Sequence, residues 1–418
     1  MFLSRLYIWN DLLKRFTDTS VDVRMHCVEI AEILMKTCNT YVIVTSMRNC
    51  LKITLSDRRF KIRIGTIVAL EEISNEKVLN VCCPQLMQQL ASRCGDTHTL
   101  VRQNALWSTA NIFRKMSDNT AVKIIFLNHI FKLCSACLSC YKMTSDNNEM
   151  IVIENAFQML FICFQEDNSK TIANNLLNVV TFCTENALKG MAAMLLFHKY
   201  VRDLLYTVLT RIESSCNLST DKQLKTMLSK LEILLYTPTM ERKDMPELIR
   251  HLLFKRIKED ESLFKDMLLI CSEDYESVAE ISTTLEKLRD QTMNTSFDDV
   301  VSRDVENDCR LVNNLILRCG FNMIDVELII ELITAMSDVK SIYCIRMASL
   351  ITLLSVSFPQ LFKVKEVNEA ILNLPLNILI ALYNDSVSFI LRIDEQTKNR
   401  LREIIEEKVA SRSPSPEY

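Results

Sequence analysis

Three pairs of residues early in the chain carry opposite charges at a fixed spacing: Asp18 with Arg24, Asp57 with Arg63, and Asp96 with Arg102. An Asp–Arg pair is a candidate for catalysis or for phosphate binding. Each Asp is followed five residues later by a β-branched residue and an Arg, as Val23-Arg24, Ile62-Arg63 and Val101-Arg102. Successive aspartates stand 39 residues apart. A reactive centre needs its residues once. Recurrence at one period is what a scaffold of stacked units produces, and a period near 40 is that of HEAT or armadillo arrays. The six residues are therefore expected to form a repeat ladder. Each Asp would accept backbone N–H groups in a turn ahead of a helix. Each Arg would reach the turn Asp of the adjacent unit.

Other residues offer weaker chemistry. Cys134, Cys137 and Cys140 in "CSACLSC", with His129 five residues earlier, make a zinc set by residue type alone. Zinc wants four ligands in a tetrahedron, usually from knuckles in loops. This run lies in an apolar helical stretch, so its cysteines are expected in a core, and no metal or cofactor is expected. The histidines, among them His26, His98 and His198, stand apart from any local nucleophile pattern. Four scattered Gly cannot build a phosphate-cradling loop. No enzymatic activity is expected. The segment "SDRRFKIR" gathers Arg58, Arg59, Lys61 and Arg63 around Phe60. Only Arg63 holds a ladder position, so Arg58, Arg59 and Lys61 are spare. They form a candidate patch for a partner or a DNA backbone, which Lys14, Arg15 and Arg48 would extend if the units stack regularly.

The elements that must position these residues follow from periodicity. Three positions after each Arg stand Cys27, Thr66 and Ala105, all small. Four after stand Val28, Ile67 and Leu106, and ten after stand Leu34, Ile73 and Ile112. Those spacings share one helical face. Each unit reads as an A helix, a short turn and a B helix. Pro84 suits the first turn of an A helix, where its missing N–H costs nothing. With 4 Gly and 7 Pro in 418 residues, the chain lacks the turn residues that sheets demand. The expected fold is an all-α HEAT/armadillo-type α-solenoid superhelix of about eight to ten helix pairs at a period near 40.

Composition excludes several classes. Apolar residues make up 49% and charged residues 24%, enough to bury a core. The net charge of −3 and pI of about 6.1 give no global footprint for nucleic acid. Sixteen scattered Cys point to a reducing compartment. Arg5 and Asp11 interrupt the first segment as a signal peptide, and the uncharged run Met347 to Phe362 is too short to span a bilayer.

Along the chain, 1–116 holds three clear repeats and 117–237 further degenerate ones. Residues 238–408 are expected to hold C-terminal helical repeats, with a mobile polar loop near 291–308. A cap signal at Ser219 or Thr220 precedes "KQLKTMLSKLEILLY", and Asp244 before Pro246 starts the next helix. Residues 409–418 read as a disordered tail. Within it Ser413 and Ser415 each precede Pro, a proline-directed phosphorylation pattern.

The segment "LYIWNDLLKRFTDTSVDVRMHCVEIAE" resembles the middle HEAT region of the precocious-dissociation-of-sisters protein five family of cohesin regulators. The family's turn, [IV]-Arg and helix elements match Arg15-Phe16-Thr17-Asp18, Val23-Arg24 and Cys27-Val28-Glu29-Ile30-Ala31. The next repeats match at "SDRRFKIR" and "GDTHTLVR", and "ALWSTANIFRK" fits the helix that follows. The resemblance covers about 6 to 116, and beyond that only helix order and lengths agree. It implies a nuclear, chromatin-associated scaffold that binds the kleisin subunit of cohesin and regulates sister chromatid cohesion, with chromatin contact mainly through cohesin. The family's N-terminal arm, its Ala-Pro-Asp-Ala loop for the release factor and its longer C-terminal hook have no counterpart here, so the chain reads as a divergent, partial form. The repeats taken alone suit a nuclear-transport or phosphatase-regulatory scaffold as well. The block from Arg15 to Ala31 favours the cohesin reading.

Overall fold

Each clear repeat turns on one aspartate. Oδ1 of Asp18, Asp57 and Asp96 accepts the backbone N–H two residues on, from Ser20 (2.9 Å), Arg59 (2.8 Å) and His98 (3.0 Å). That Asx turn ends one helix and aims the next. The computed structural model describes residues 2–74, 81, 83–117, 127–162, 168–214, 221–236, 245–258, 260–272, 303–320, 326–383 and 395–410. These residues form an all-α helical solenoid of the HEAT/armadillo type, in two compact units.

The first unit comprises Met1–Gln165 and Phe182–Met191. It contains four helix pairs among the described residues: α1 (Phe2–Arg15) with α2 (Val21–Thr37), α3 (Tyr41–Thr54) with α4 (Phe60–Glu71), α5 (Pro84–Arg93) with α6 (Thr99–Ser117), and α7 (Leu127–Tyr141) with α8 (Asn147–Asn155). The last continues as a π-helical stretch, Ala156–Ile162. The second members pack in sequence, α2 on α4, α4 on α6 and α6 on α8. The first members α3, α5 and α7 make a parallel layer. Cys27, Thr66 and Ala105 are buried where second-layer helices meet, and Val28, Ile67 and Leu106 fill the core beside them. Pro84 opens α5 at its first turn. Gly190 lies against α7 so closely that a Cβ there would collide with the Leu138 carbonyl, which is why the position has no side chain.

The second unit comprises Glu166–Thr181 and Ala192–Tyr418. It is built from amphipathic helices that include most of Glu185–Ser214, then Lys222–Leu235, Arg303–Cys319, Cys344–Ser357 and Glu395–Ala410. The expected breaks after 116 and 237 do not coincide with the division into units. α7 and α8 lack the Asp–Arg signature yet pack on α5 and α6 as the earlier pairs do, because packing needs apolar faces and not the signature.

Three local expectations are corrected. The cap of the Lys222–Leu235 helix is Asp221, whose Oδ1 accepts from the Gln223 and Leu224 N–H groups, not Ser219 or Thr220. The polar stretch expected as a loop to 308 is helical from Arg303, because Arg303–Cys319 carries its apolar residues on one strongly marked stripe. The tail expected from 409 begins no earlier than 411, since the last helix runs through Ala410. Residues 291–302, Asp244 and the tail with Ser413 and Ser415 lie outside the described residues. No described helix is long and apolar enough to cross a membrane.

Candidate functional site

The Asp turns place the arginines. Each ladder Arg emerges in the first turn of α2, α4 or α6 and folds back over the turn that precedes it. Arg24 Nη1 donates to the Asp18 carbonyl at 2.7 Å, Arg63 Nη1 to the Asp57 carbonyl at 2.7 Å, and Arg102 Nη1 to the Asp96 carbonyl at 2.9 Å. The guanidinium then reaches forward. Arg24 grips Asp57 of the next repeat with two bonds, Nε to Oδ2 at 2.7 Å and Nη2 to Oδ1 at 3.1 Å. Arg63 Nη2 donates to Asp96 Oδ1 at 2.8 Å, and the second Asp96 oxygen takes Arg93 at 3.0 Å. The first rung is thus a fork and the second a shared carboxylate.

Arg102 has no Asp to meet at the same step, because Ser135 stands 39 residues after Asp96 and lies in α7. Its partner is Glu149 in the first turn of α8, with Nε to Oε1 at 2.8 Å. Thr144 Oγ1 in the turn holds the other Glu149 oxygen at 2.8 Å. Sequence spacing misses this residue: 33 positions separate the first two partners and 47 the third. The longer glutamate reaches from the helix the place that an aspartate reaches from the turn. The only signal in the sequence is a buried-type acid following a Thr and an Asp ahead of an apolar run.

Electrostatics agree with a brace. Burial by itself would raise the Asp96 carboxyl, but the His98 N–H and then Arg63 and Arg93 outweigh it and hold the group below its ordinary value. The Ser20 N–H and Arg15 likewise lower Asp18. Side chains of Asp57, Asp96 and Glu149 are at most 10% exposed. Every ladder carboxylate is committed to N–H groups, hydroxyls or guanidinium, which leaves none open to abstract a proton or hold a substrate.

Arg58, Arg59 and Lys61 point outward from the second turn and the start of α4, and make no ion pair among the described residues. Lys14 pairs with Asp11 at 3.3 Å and Arg15 with Asp18 at 2.7 Å, while Arg48 is half-buried, so these three do not extend the exposed set as free cations. Phe60 stacks on His98 of the next turn, with ring centroids 3.9 Å apart. That contact ties the two turns together and was not legible from the sequence.

Cys134 and Cys137 are fully buried in α7, and burial pushes both thiols well up. Cys140 is pushed up to about 11, chiefly by burial. Protonated thiols are core groups with weak donors. The His129 side chain lies outside the described residues. No group of His, Cys, Asp or Glu that could hold a metal ion occurs among the described residues.

The second unit buries a polar cluster that sequence reasoning missed. Arg202 donates to the carbonyls of Cys319 and Ser357 and lies over the Phe358 ring, 4.4 Å from its centroid. Cys319 and Ser357 are the last residues of their helices. One guanidinium therefore serves two helix C-termini, where the macrodipole favours a cation. Burial lowers Arg202 to about 10. Arg318 lies over Phe197 at 5.2 Å. His198 is held well below its ordinary value by burial first and then by the two arginines. Gly320, at φ 65°, turns the chain after Cys319 against the His198 ring, where a Cβ would be crowded as well as strained.

The profile of the family described as "Sister chromatid cohesion protein PDS5 protein" matches residues 5–403. The sister chromatid cohesion protein pds5 of Schizosaccharomyces pombe is 20% identical over 189 residues, which is 45% of this chain and 16% of that protein. A solved Pds5–Scc1 complex contains a chain similar in fold, with a TM-score of 0.66 and 14% identity, over 86% of this chain and 52% of that one. This chain thus spans about half of that structure and a smaller share of the yeast protein.

Proposed function

The chain belongs to the PDS5 sister chromatid cohesion protein family, and from that premise we propose that it is a non-enzymatic scaffold that binds the kleisin subunit of cohesin. In this reading it works on chromatin in the nucleus and regulates sister chromatid cohesion. The observation that carries the reading is the match of the family profile over 5–403, nearly the whole chain. The complex of a similar fold with Scc1, a kleisin, supports the choice of partner. The braced repeats support the scaffold role. Ladder and core spend their polar groups on holding helices in register, which leaves the outer faces of the helices for a peptide partner.

The test is direct binding. Purified full-length chain is titrated with recombinant kleisin by calorimetry, alongside recovery of partners from nuclear extract. Saturable binding to the kleisin and its recovery from extract are the expected results. Failure to bind the kleisin, with import cargo or a phosphatase catalytic subunit recovered instead, would move the chain to another class of helical scaffold.

A further inference from the structure

Four helix-pair turns line up along one edge of the first unit, because the ladder runs through them. They are the turns before α2, α4, α6 and α8. From the second turn to the fourth, the acids on this edge are Asp57, Asp96, Asp146 and Glu149. Asp57, Asp96 and Glu149 are consumed by Arg24, Arg63, Arg93 and Arg102. Asp146 caps α8 by accepting the Asn148 N–H. The exposed charges that remain are Arg58, Arg59 and Lys61 on the second turn and Lys142 on the fourth. Arg93, a quarter exposed, lies between them on the third. From the second turn to the fourth, a chain of net charge −3 thus presents an edge that is cationic, and the exposed Arg58, Arg59, Lys61 and Lys142 are the cause.

We propose that this edge, with Arg58, Arg59 and Lys61 at its centre and Lys142 beyond, binds the phosphate backbone of duplex DNA without reading its sequence. Three features favour a phosphate backbone over an acidic peptide. Exposed cations stand on the second and fourth turns, with the paired Arg93 on the turn between them, along helices packed about 10 Å apart, which suits a stiff, extended polyanion. Arginine forks match phosphate oxygens. Between the cations stand the exposed hydroxyl residues Ser56, Thr97 and Thr99, donors of the kind that position a backbone. The contact would be direct, and independent of any chromatin association made through cohesin.

The experiment is fluorescence anisotropy of a labelled duplex with the full chain across a salt series. Wild type is compared with the triple variant R58A/R59A/K61A and with K222A/K225A/K230A, which removes three exposed lysines of the second unit. Wild type is expected to lose affinity linearly in log salt. The patch variant should bind about tenfold weaker or worse at low salt, with its salt slope reduced by about 2–3, since each phosphate contact contributes about 0.9. Its melting temperature should stay that of wild type, because the three side chains are exposed and unpaired. The lysine control should bind as wild type does. The proposal is overturned if the patch variant keeps its affinity and slope. It is also overturned if both variants weaken equally, which would reduce the effect to net charge. Binding of an acidic peptide at this edge with no binding of duplex would assign the edge to a protein partner and overturn it too.

Discussion

Arg63 in the first unit and Arg202 in the second are both buried arginines, and they are accommodated by different means. Arg63 meets the carboxylate of Asp96, 33 residues away, in a turn of the next repeat. Arg202 meets carbonyls 117 and 155 residues away, at the ends of two helices, and the face of Phe358. The ladder neutralises charge with charge and can be extended by one unit at a time. The Arg202 cluster uses partial charges of helix ends and a ring, and it fastens helices that only the fold brings together. A repeat scaffold therefore contains two kinds of polar fastening. One recurs with the repeat in the first unit, and the other joins residues far apart in sequence, as Arg346 also does with the Val180 and Thr181 carbonyls.

Breaking Arg202 should have the largest effect. Arg202→Met keeps the length and apolar stem but orphans two buried carbonyls, each costing about 1–3 kcal/mol. A loss near 4 kcal/mol is expected in urea unfolding, and Arg202→Lys should recover only part of it, because one ammonium does not span both helix ends as a fork does. An unchanged midpoint for Arg202→Met would show that the carbonyls find other donors and would erase the contrast with the ladder.

Next comes Asp96→Ala, which strands buried Arg63. Removing one member of a buried pair costs about 3–5 kcal/mol, and the low end is expected here because Arg63 keeps the Asp57 carbonyl. The double variant Arg63→Met with Asp96→Leu should be far less harmful than the sum of its singles. Additive losses would mean that the rung is not a coupled pair.

Glu149→Asp sharpens the third rung. Shortening the side chain by one methylene should release Arg102 and cost about 1–2 kcal/mol, measured by thermal melting. A neutral result would remove Glu149 from the ladder.

Acid should act on the ladder selectively. The folded-state pKa of Asp96 is depressed, so its contribution is fully present above the unfolded value of 3.8 and is lost as pH falls through the folded one. The stability gap between wild type and Asp96→Asn should therefore narrow on acidification below about pH 4. A gap that widens would reverse the sign assigned here. Asp18→Asn, on an exposed pair, should show the smallest effect of the set.

The first two rungs were legible because Asp-x4-[VI]-Arg recurs at a fixed step, and a turn aspartate followed by a helix has one local geometry. The third was not, because α6 and α7 are longer than the helices of the earlier pairs and Glu149 replaces the turn aspartate. The cap at Asp221 was misplaced by one or two residues, since Ser219, Thr220 and Asp221 are all capping types and only hydrogen-bond geometry chooses among them. His198 looked like an isolated histidine on a helix. It is fully buried, because residues more than a hundred positions later close over it.

By itself the sequence determined the fold class, the repeat period, the A-turn-B unit and the roles of Asp57, Asp96, Arg24 and Arg63. All of these depend on local propensity and on spacings shorter than two repeats, where chain order and spatial order agree. Only the tertiary structure decided that Glu149 completes the ladder, that Phe60 stacks on His98, and that Arg202 ties two helix ends. It also placed the exposed Lys142 on the same turn edge as Arg58, Arg59 and Lys61. That last result has a simple cause: residues of different repeats share an edge only once their helices have stacked.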